Sequence, residues 1–143
     1  MSEENIELVR RCYDAFGRAI ELQREGRPRE WEGLWAELFD ENVVLEEIPE
    51  VPDSDVYRGL EELNRWFRAG TETFEDVSWE PRDFAAHGPH VVVDLHGSFR
   101  GGGSGAQVGL DVTHVFTVRD GKVVHIRGFL DRAQALEAVG ITD

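Results

Sequence analysis

Between Glu3 and about Gln23 the apolar residues Ile6, Val9, Tyr13, Phe16 and Ile20 recur at steps alternating between three and four, the stripe of an amphipathic helix. The stretch "EGRP" breaks it. Pro28 then stands near the start of a second helix, striped by Trp31, Leu34, Trp35, Leu38 and Phe39 and ended by "FDEN". "VVLEEI" reads as a short strand stopped by Pro49 and Pro52, and "YRGLEELNRWFRAGTETF" carries a third helical stripe through Leu60, Leu63, Trp66 and Phe67. After that the period changes to two. "VSWEPRDFAA", "HVVVDLHGSF", "VGLDVTHVFTV" and "KVVHIRGF" read as four strands, the last two joined by the hairpin-turn pair Asp120-Gly121. "RAQALEAVG" closes the chain as a short helix. Helices first and antiparallel strands afterwards predict an α+β domain with the helices on one face of the sheet. The glycine-rich "RGGGSG" lacks a following Lys and leads into a strand, so it reads as a hairpin connection and not as a phosphate loop.

Counting back from the Asp-Gly turn sets a register for the last two strands. It places Gly109, Asp111, Thr113, Val115 and Thr117 on one face with Val124, Ile126, Gly128 and Leu130. The other face carries Leu110, Val112, His114, Phe116 and Val118 with Val123, His125, Arg127 and Phe129. Both faces are half apolar, and helices on one side can cover only one of them. The small residues around Asp111 suggest the lining of a cavity under the helices, with Val115, Val124, Ile126 and Leu130 as its wall. The second face, with His114, Phe116, His125, Arg127 and Phe129, is the expected homodimer interface.

Composition narrows the class. At 143 residues with 41% hydrophobic content the chain is one domain's worth of soluble globular protein, and no window is apolar enough to span a membrane. The 29 Asp and Glu against 15 Lys and Arg give a formal charge of −14, which repels nucleic acid and anionic lipid. The N-terminus has no signal-peptide pattern, so the expected location is cytoplasmic. Cys12 stands alone, which excludes an intramolecular disulfide and a cysteine metal cluster, and it is expected to be a small buried residue. His114 and Asp111 are three apart on a strand and so point to opposite faces, against a shared metal. His87 and His90 flank a turn and are expected in solvent; Asp94 and His96 are expected as an unconnected pair on the outer face.

The helix stripe "VRRCYDAFGR", the passage "LFDENVVLEE", "YRGLEELNRWF" and the tail "HVFTVRDGKVVHIRGFLDRAQALEAVG" together resemble the SnoaL-like branch of the nuclear-transport-factor-2-like superfamily, which includes ketosteroid isomerases. The resemblance covers nearly the whole chain. It implies a cone of strongly curved antiparallel sheet packed on the N-terminal helices, a cystatin-like α+β fold, with an apolar pocket and pairing through the outer sheet face. It further implies a cofactor-independent isomerase or cyclase acting on an enolisable carbonyl or polyketide-like ring, with a small hydrophobic molecule as partner and neither cofactor nor metal. "GLDVTHV" resembles the strand bearing an oxyanion-hole Asp, which places that role on Asp111. "DENVVLEE" resembles the strand bearing the base, which places it on Glu46, with Glu47 one residue away. The phenol role falls on Tyr13, with Cys12 one residue away, and Phe16 and Trp66 join the pocket wall. The alternative is a non-catalytic module of the same fold that binds a hydrophobic ligand or dimerises. The Asp-Arg-Asp arrangement of the superfamily's epoxide hydrolases is not evident.

Overall fold

The computed structural model describes residues 2–101 and 106–141. Three helices, α1 (Ser2–Arg24), α2 (Pro28–Leu38) and α3 (Gly59–Thr73), are interleaved with β1 (Phe39–Glu46) and β2 (Val56–Arg58). Four longer strands follow, β3 (Phe74–His87), β4 (His90–Gly101), β5 (Gln107–Arg119) and β6 (Lys122–Phe129), and then α4 (Arg132–Ala138). They form one curved, unclosed sheet in the order β2-β1-β6-β5-β4-β3. All neighbouring pairs are antiparallel except β1 with β6. The three-residue β2 was too short to leave a periodic signal. Pro81 is accommodated because β3 is an edge strand with a register shift between Pro81 and Asp83. The "GGSG" stretch at 102–105 lies outside the described residues; on either side of it, Arg100 pairs with Gln107.

The β5–β6 hairpin departs from the expected register. Asp120 and Gly121 both take positive φ, 53° and 76°, as a two-residue hairpin turn requires, and Arg119 pairs with Lys122. Val118 pairs with Val123, but Thr117 then pairs with His125, so Val124 is an extra residue on β6. This β-bulge moves every later β6 side chain to the opposite face from the one an unbroken count assigns. Phe116 pairs with Ile126, Val115 with Arg127 and His114 with Gly128.

With the bulge in place the two faces sort cleanly. Val112, Phe116, Val118, Val123 and Ile126 are buried with Val91, Val93 and Leu95 against α1, α2 and α3 in the main core. The face bearing His114 and Phe116 is therefore the inner one, which corrects their expected place in an outer dimer interface. The face bearing Asp111, Thr113, Val115 and Thr117 is the outer one, which corrects the expected cavity face. The physical reason is that the helices need a continuous apolar surface, and the alternate residues Val112, Phe116 and Val118 supply it.

Part of the outer face is covered from within the chain. Ala135 and Leu136 of α4 bury Val92 and Val115 in a second small core, with Phe129, Val139 and Ile141 packed against it. The Asp131 side chain caps α4 by accepting from the Gln134 amide at 2.8 Å. Val115 is thus buried under α4 and lines no inner space, and Leu130, past the end of β6, is exposed.

Candidate active site

The inner face carries one deeply buried titratable pair. Tyr13, from the buried stripe of α1, meets His114 from β5, with the phenol oxygen 2.8 Å from Nδ1. Burial pushes the Tyr13 phenol well above its ordinary value and depresses the His114 imidazole to about 4. Both groups are therefore neutral near pH 7. Among the described residues no group bonds His114 Nε2, and the residue as a whole is only partly buried. Either orientation of the hydrogen bond leaves the pair one proton to offer: Nε2–H if Tyr13 donates, the phenol proton if Nδ1–H donates.

Aromatic rings connect this pair to α3. The Trp79 ring lies 5.2 Å from His114 and 6.3 Å from Phe16, and Phe16 lies 6.0 Å from Trp66. Trp66 in turn donates its indole N–H to Glu47 at 3.3 Å. Glu47 also accepts from the Asp55 amide at 3.1 Å. Burial raises its carboxyl above the ordinary range, partly offset by those two hydrogen bonds. Phe16 and Trp66 lie on the helix side of the sheet, as does Ile126, beside Leu45 and Phe116 and away from the Asp111 face it was expected to share.

Glu46 points the other way. Leu45 is buried in the main core, so Glu46 falls on the outer face, where it pairs with His125 and, at 3.4 Å, with Arg127. The inward carboxyl of this strand end is Glu47. Asp111 is also outward and 75% exposed, 2.7 Å from His96 and 3.7 Å from Arg82. The His96 hydrogen bond, aided by Arg82, holds its carboxyl below the ordinary range, the opposite of a desolvated acid. Val124 is the bulged residue. Asp94 bonds Thr113 at 3.1 Å and Arg132 at 3.0 Å, and so does not pair with His96. His90, partly buried, bonds Thr117 at 3.0 Å, and the His87 Nε2 is buried without a partner, so neither is the solvated side chain expected. Cys12 is buried, its thiol pushed up to about 12 by desolvation.

His114 was legible as inward only from its phase with Val112 and Phe116. Two open hollows lie elsewhere, one of about 600 Å³ between the start of α1 and the β5–β6 turn and one of about 230 Å³ between α1, α3 and β3. Neither is lined by Tyr13, His114 or Glu47. Among the described residues no three His, Cys, Asp or Glu side chains stand close enough to share a metal ion, and no helix is long and apolar enough to cross a membrane.

The model of the SnoaL-like domain matches residues 9–126. A candidate SnoaL-like polyketide cyclase from Jannaschia sp. CCS1 superposes with a TM-score of 0.71 at 20% identity, over 100% of this chain and 96% of that one. A nuclear-transport-factor-2-like protein of unknown function from Burkholderia pseudomallei gives 0.70 at 22% identity, over 96% and 97%. TerC co-crystallised with polyporic acid gives 0.70 at 20% identity, over 96% and 98%. At these identities the likeness is one of fold. No curated protein matches the chain.

Proposed function

Because the chain belongs to the SnoaL-like family, we propose that it acts on a small, largely apolar molecule held between the inner sheet face and helices α1 and α3. The reaction is a cofactor-independent isomerisation or cyclisation of an enolisable carbonyl or polyketide-like ring. One observation carries this reading: a neutral Tyr13–His114 pair deep on the inner face, with a hydrogen still to offer. Glu47, turned to the same side and held above the ordinary carboxylate range by burial, is the general base. It takes the proton α to the carbonyl; the enolate oxygen receives the hydrogen bond of the Tyr13–His114 pair; the carboxyl returns the proton at the new carbon. A neutral donor suits this step, because it stabilises charge that develops only as the enolate forms.

The test is deuterium incorporation from solvent α to the carbonyl across a panel of cyclic enones and polyketide-like ketones. Glu47→Gln is expected to slow exchange by about 10²- to 10⁴-fold. Tyr13→Phe and His114→Asn are each expected to slow it by about 10²- to 10³-fold. Asp111→Asn is expected to leave it unchanged. Polyporic acid is a first binding probe. Binding without exchange of any ketone would leave the non-catalytic binding role in place of the enzyme.

Pairing of two copies through the outer face left open by α4 forms the second part of the reading. Its support is the half-exposed group of His125, Arg127 and Glu46 there, with Arg127 5.2 Å above the Phe129 ring. Arg127→Glu should halve the sedimenting mass; a wild-type monomer, or an unchanged dimer, would remove this interface.

A further inference from the structure

At two glycines of the inner face, Gly97 and Gly128, a neighbour occupies the space a side chain would take. Gly97 of β4 pairs with Trp79, and a Cβ built on Gly97 would stand 2.7 and 3.0 Å from two carbons of the indole and 3.2 Å from the Phe99 ring. Gly128 of β6 is the cross-strand partner of His114, and a Cβ there would stand 2.9 Å from Cγ1 of Ile48. Real Cβ atoms do not approach so closely, so any other residue must lift the side chain that lies across it. The indole is rigid and already held by Phe99 at 5.1 Å, and Cγ1 of Ile48 is near its backbone, so neither can yield by a simple terminal rotation. Gly17 and Gly33 differ, since nothing lies within 4 Å of a Cβ at either.

The two sites flank one residue. Trp79 reaches His114 from the β3–β4 side, 5.2 Å between rings, and Ile48 lies over the β6 position paired with His114. We propose that Gly97 and Gly128 are positioning residues: they seat Trp79 and Ile48 flat on the sheet at either side of His114 and so fix what lies against the Tyr13–His114 pair. This rests on the reading of that pair as the reactive site. A methyl at position 97 displaces the indole from its place against His114, and one at 128 displaces Ile48 from the sheet. The two glycines thus act on the surroundings of His114 while touching no reacting atom.

The full-length Gly97→Ala and Gly128→Ala proteins test this, with Gly33→Ala as the control in open space. In ¹H–¹⁵N spectra the Trp79 indole signal, identified by its loss in Trp79→Phe, should move in Gly97→Ala while those of Trp31 and Trp35 stay. The His114 imidazole should titrate about one pH unit higher as the displaced indole opens it to water. A merely structural glycine would change the melting temperature and leave that titration alone. Trp79→Leu should abolish the effect of Gly97→Ala on His114, because the coupled partner is gone. Polyporic acid, if it binds the wild type, should bind Gly97→Ala at least about tenfold more weakly. A folded Gly97→Ala protein with unmoved Trp79 and His114 signals would overturn the proposal. Should Gly97→Ala fail to fold, rescue of folding by Trp79→Leu supports the seat, and equal misfolding of the double variant refutes it. A wild type that exchanges no ketone would sink the catalytic reading, yet leave these spectra decisive.

Discussion

His114 and His96 lie on neighbouring strands of one sheet, each within hydrogen-bond distance of one partner side chain, yet they are chemically opposite. His114 faces the helices, meets a neutral phenol, and is pushed down to about 4 because burial penalises its charge. His96 faces outward, meets the exposed Asp111, and helps hold that carboxyl ionised. One strand phase separates the two environments. The face a residue takes, more than its type or its partner, decides whether it offers a neutral donor or hydrogen-bonds a solvated carboxylate.

The largest break in this contrast comes from exchanging Ile126 for Arg. Ile126 lies on the inner face opposite Phe116, and its neighbour Arg127 lies on the outer face opposite Val115. Burying an uncompensated Arg costs several kcal/mol, so Ile126→Arg should abolish cooperative thermal unfolding by circular dichroism, whereas deleting Val124, which leaves Thr117 opposite His125 and Phe116 opposite Ile126, should keep it. A native-like melt of Ile126→Arg would mean that position 126 is not on the buried face. Next in size, Phe116→Ala on the inner face should cost about 3–5 kcal/mol, and its outward neighbour Thr117→Ala only about 1 kcal/mol, in urea titrations at pH 7. Comparable losses would erase the distinction between the faces.

The pH dependence sharpens it further. The folded His114 titrates near 4 and an unfolded histidine near 6.5, so below 6.5 the unfolded chain binds the extra proton first. The stability held by the neutral ring is complete above about pH 6.5 and falls as the pH drops to about 4, by about 3 kcal/mol over that window. Urea titrations of the wild type and His114→Gln should converge as the pH is lowered; parallel curves would show that the ring is not buried neutral. The smallest effect belongs to Asp111. Its depressed carboxyl contributes only above the usual carboxylate range and loses that contribution as pH falls through its folded value. Asp111→Asn should barely move the melting temperature at pH 7, and His96→Ala should bring the Asp111 carboxyl back toward its ordinary titration by NMR.

Much of the architecture was legible because it is written in short-range periodicity. The helical stripes of α1, α2 and α3, the span of β6, and the Asp120-Gly121 turn follow from local rules, and the structure keeps them except that Phe39, counted in the α2 stripe, begins β1. The site was less legible. Glu46 and Glu47 are adjacent acids, and only the burial of Leu45 against the helices turns Glu47 inward. His114 among Val112 and Phe116 was readable as an inward residue, but an uninterrupted count mixed His125 and Arg127 into the same face and made it resemble an outer surface. Val124, a valine beside a valine, carries no local mark of a bulge.

The sequence by itself determined every element but β2, their order and their likeness to the SnoaL-like family, because periodicity, turn chemistry and charge act within a few residues. Only the tertiary structure decided which face of β5 is inside, that Tyr13 meets His114 across a separation of 101 residues, and that α4 covers Val92 and Val115. Those outcomes depend on one unpaired residue in a ladder and on the helices' demand for a continuous apolar surface, and both are properties of the packed chain as a whole.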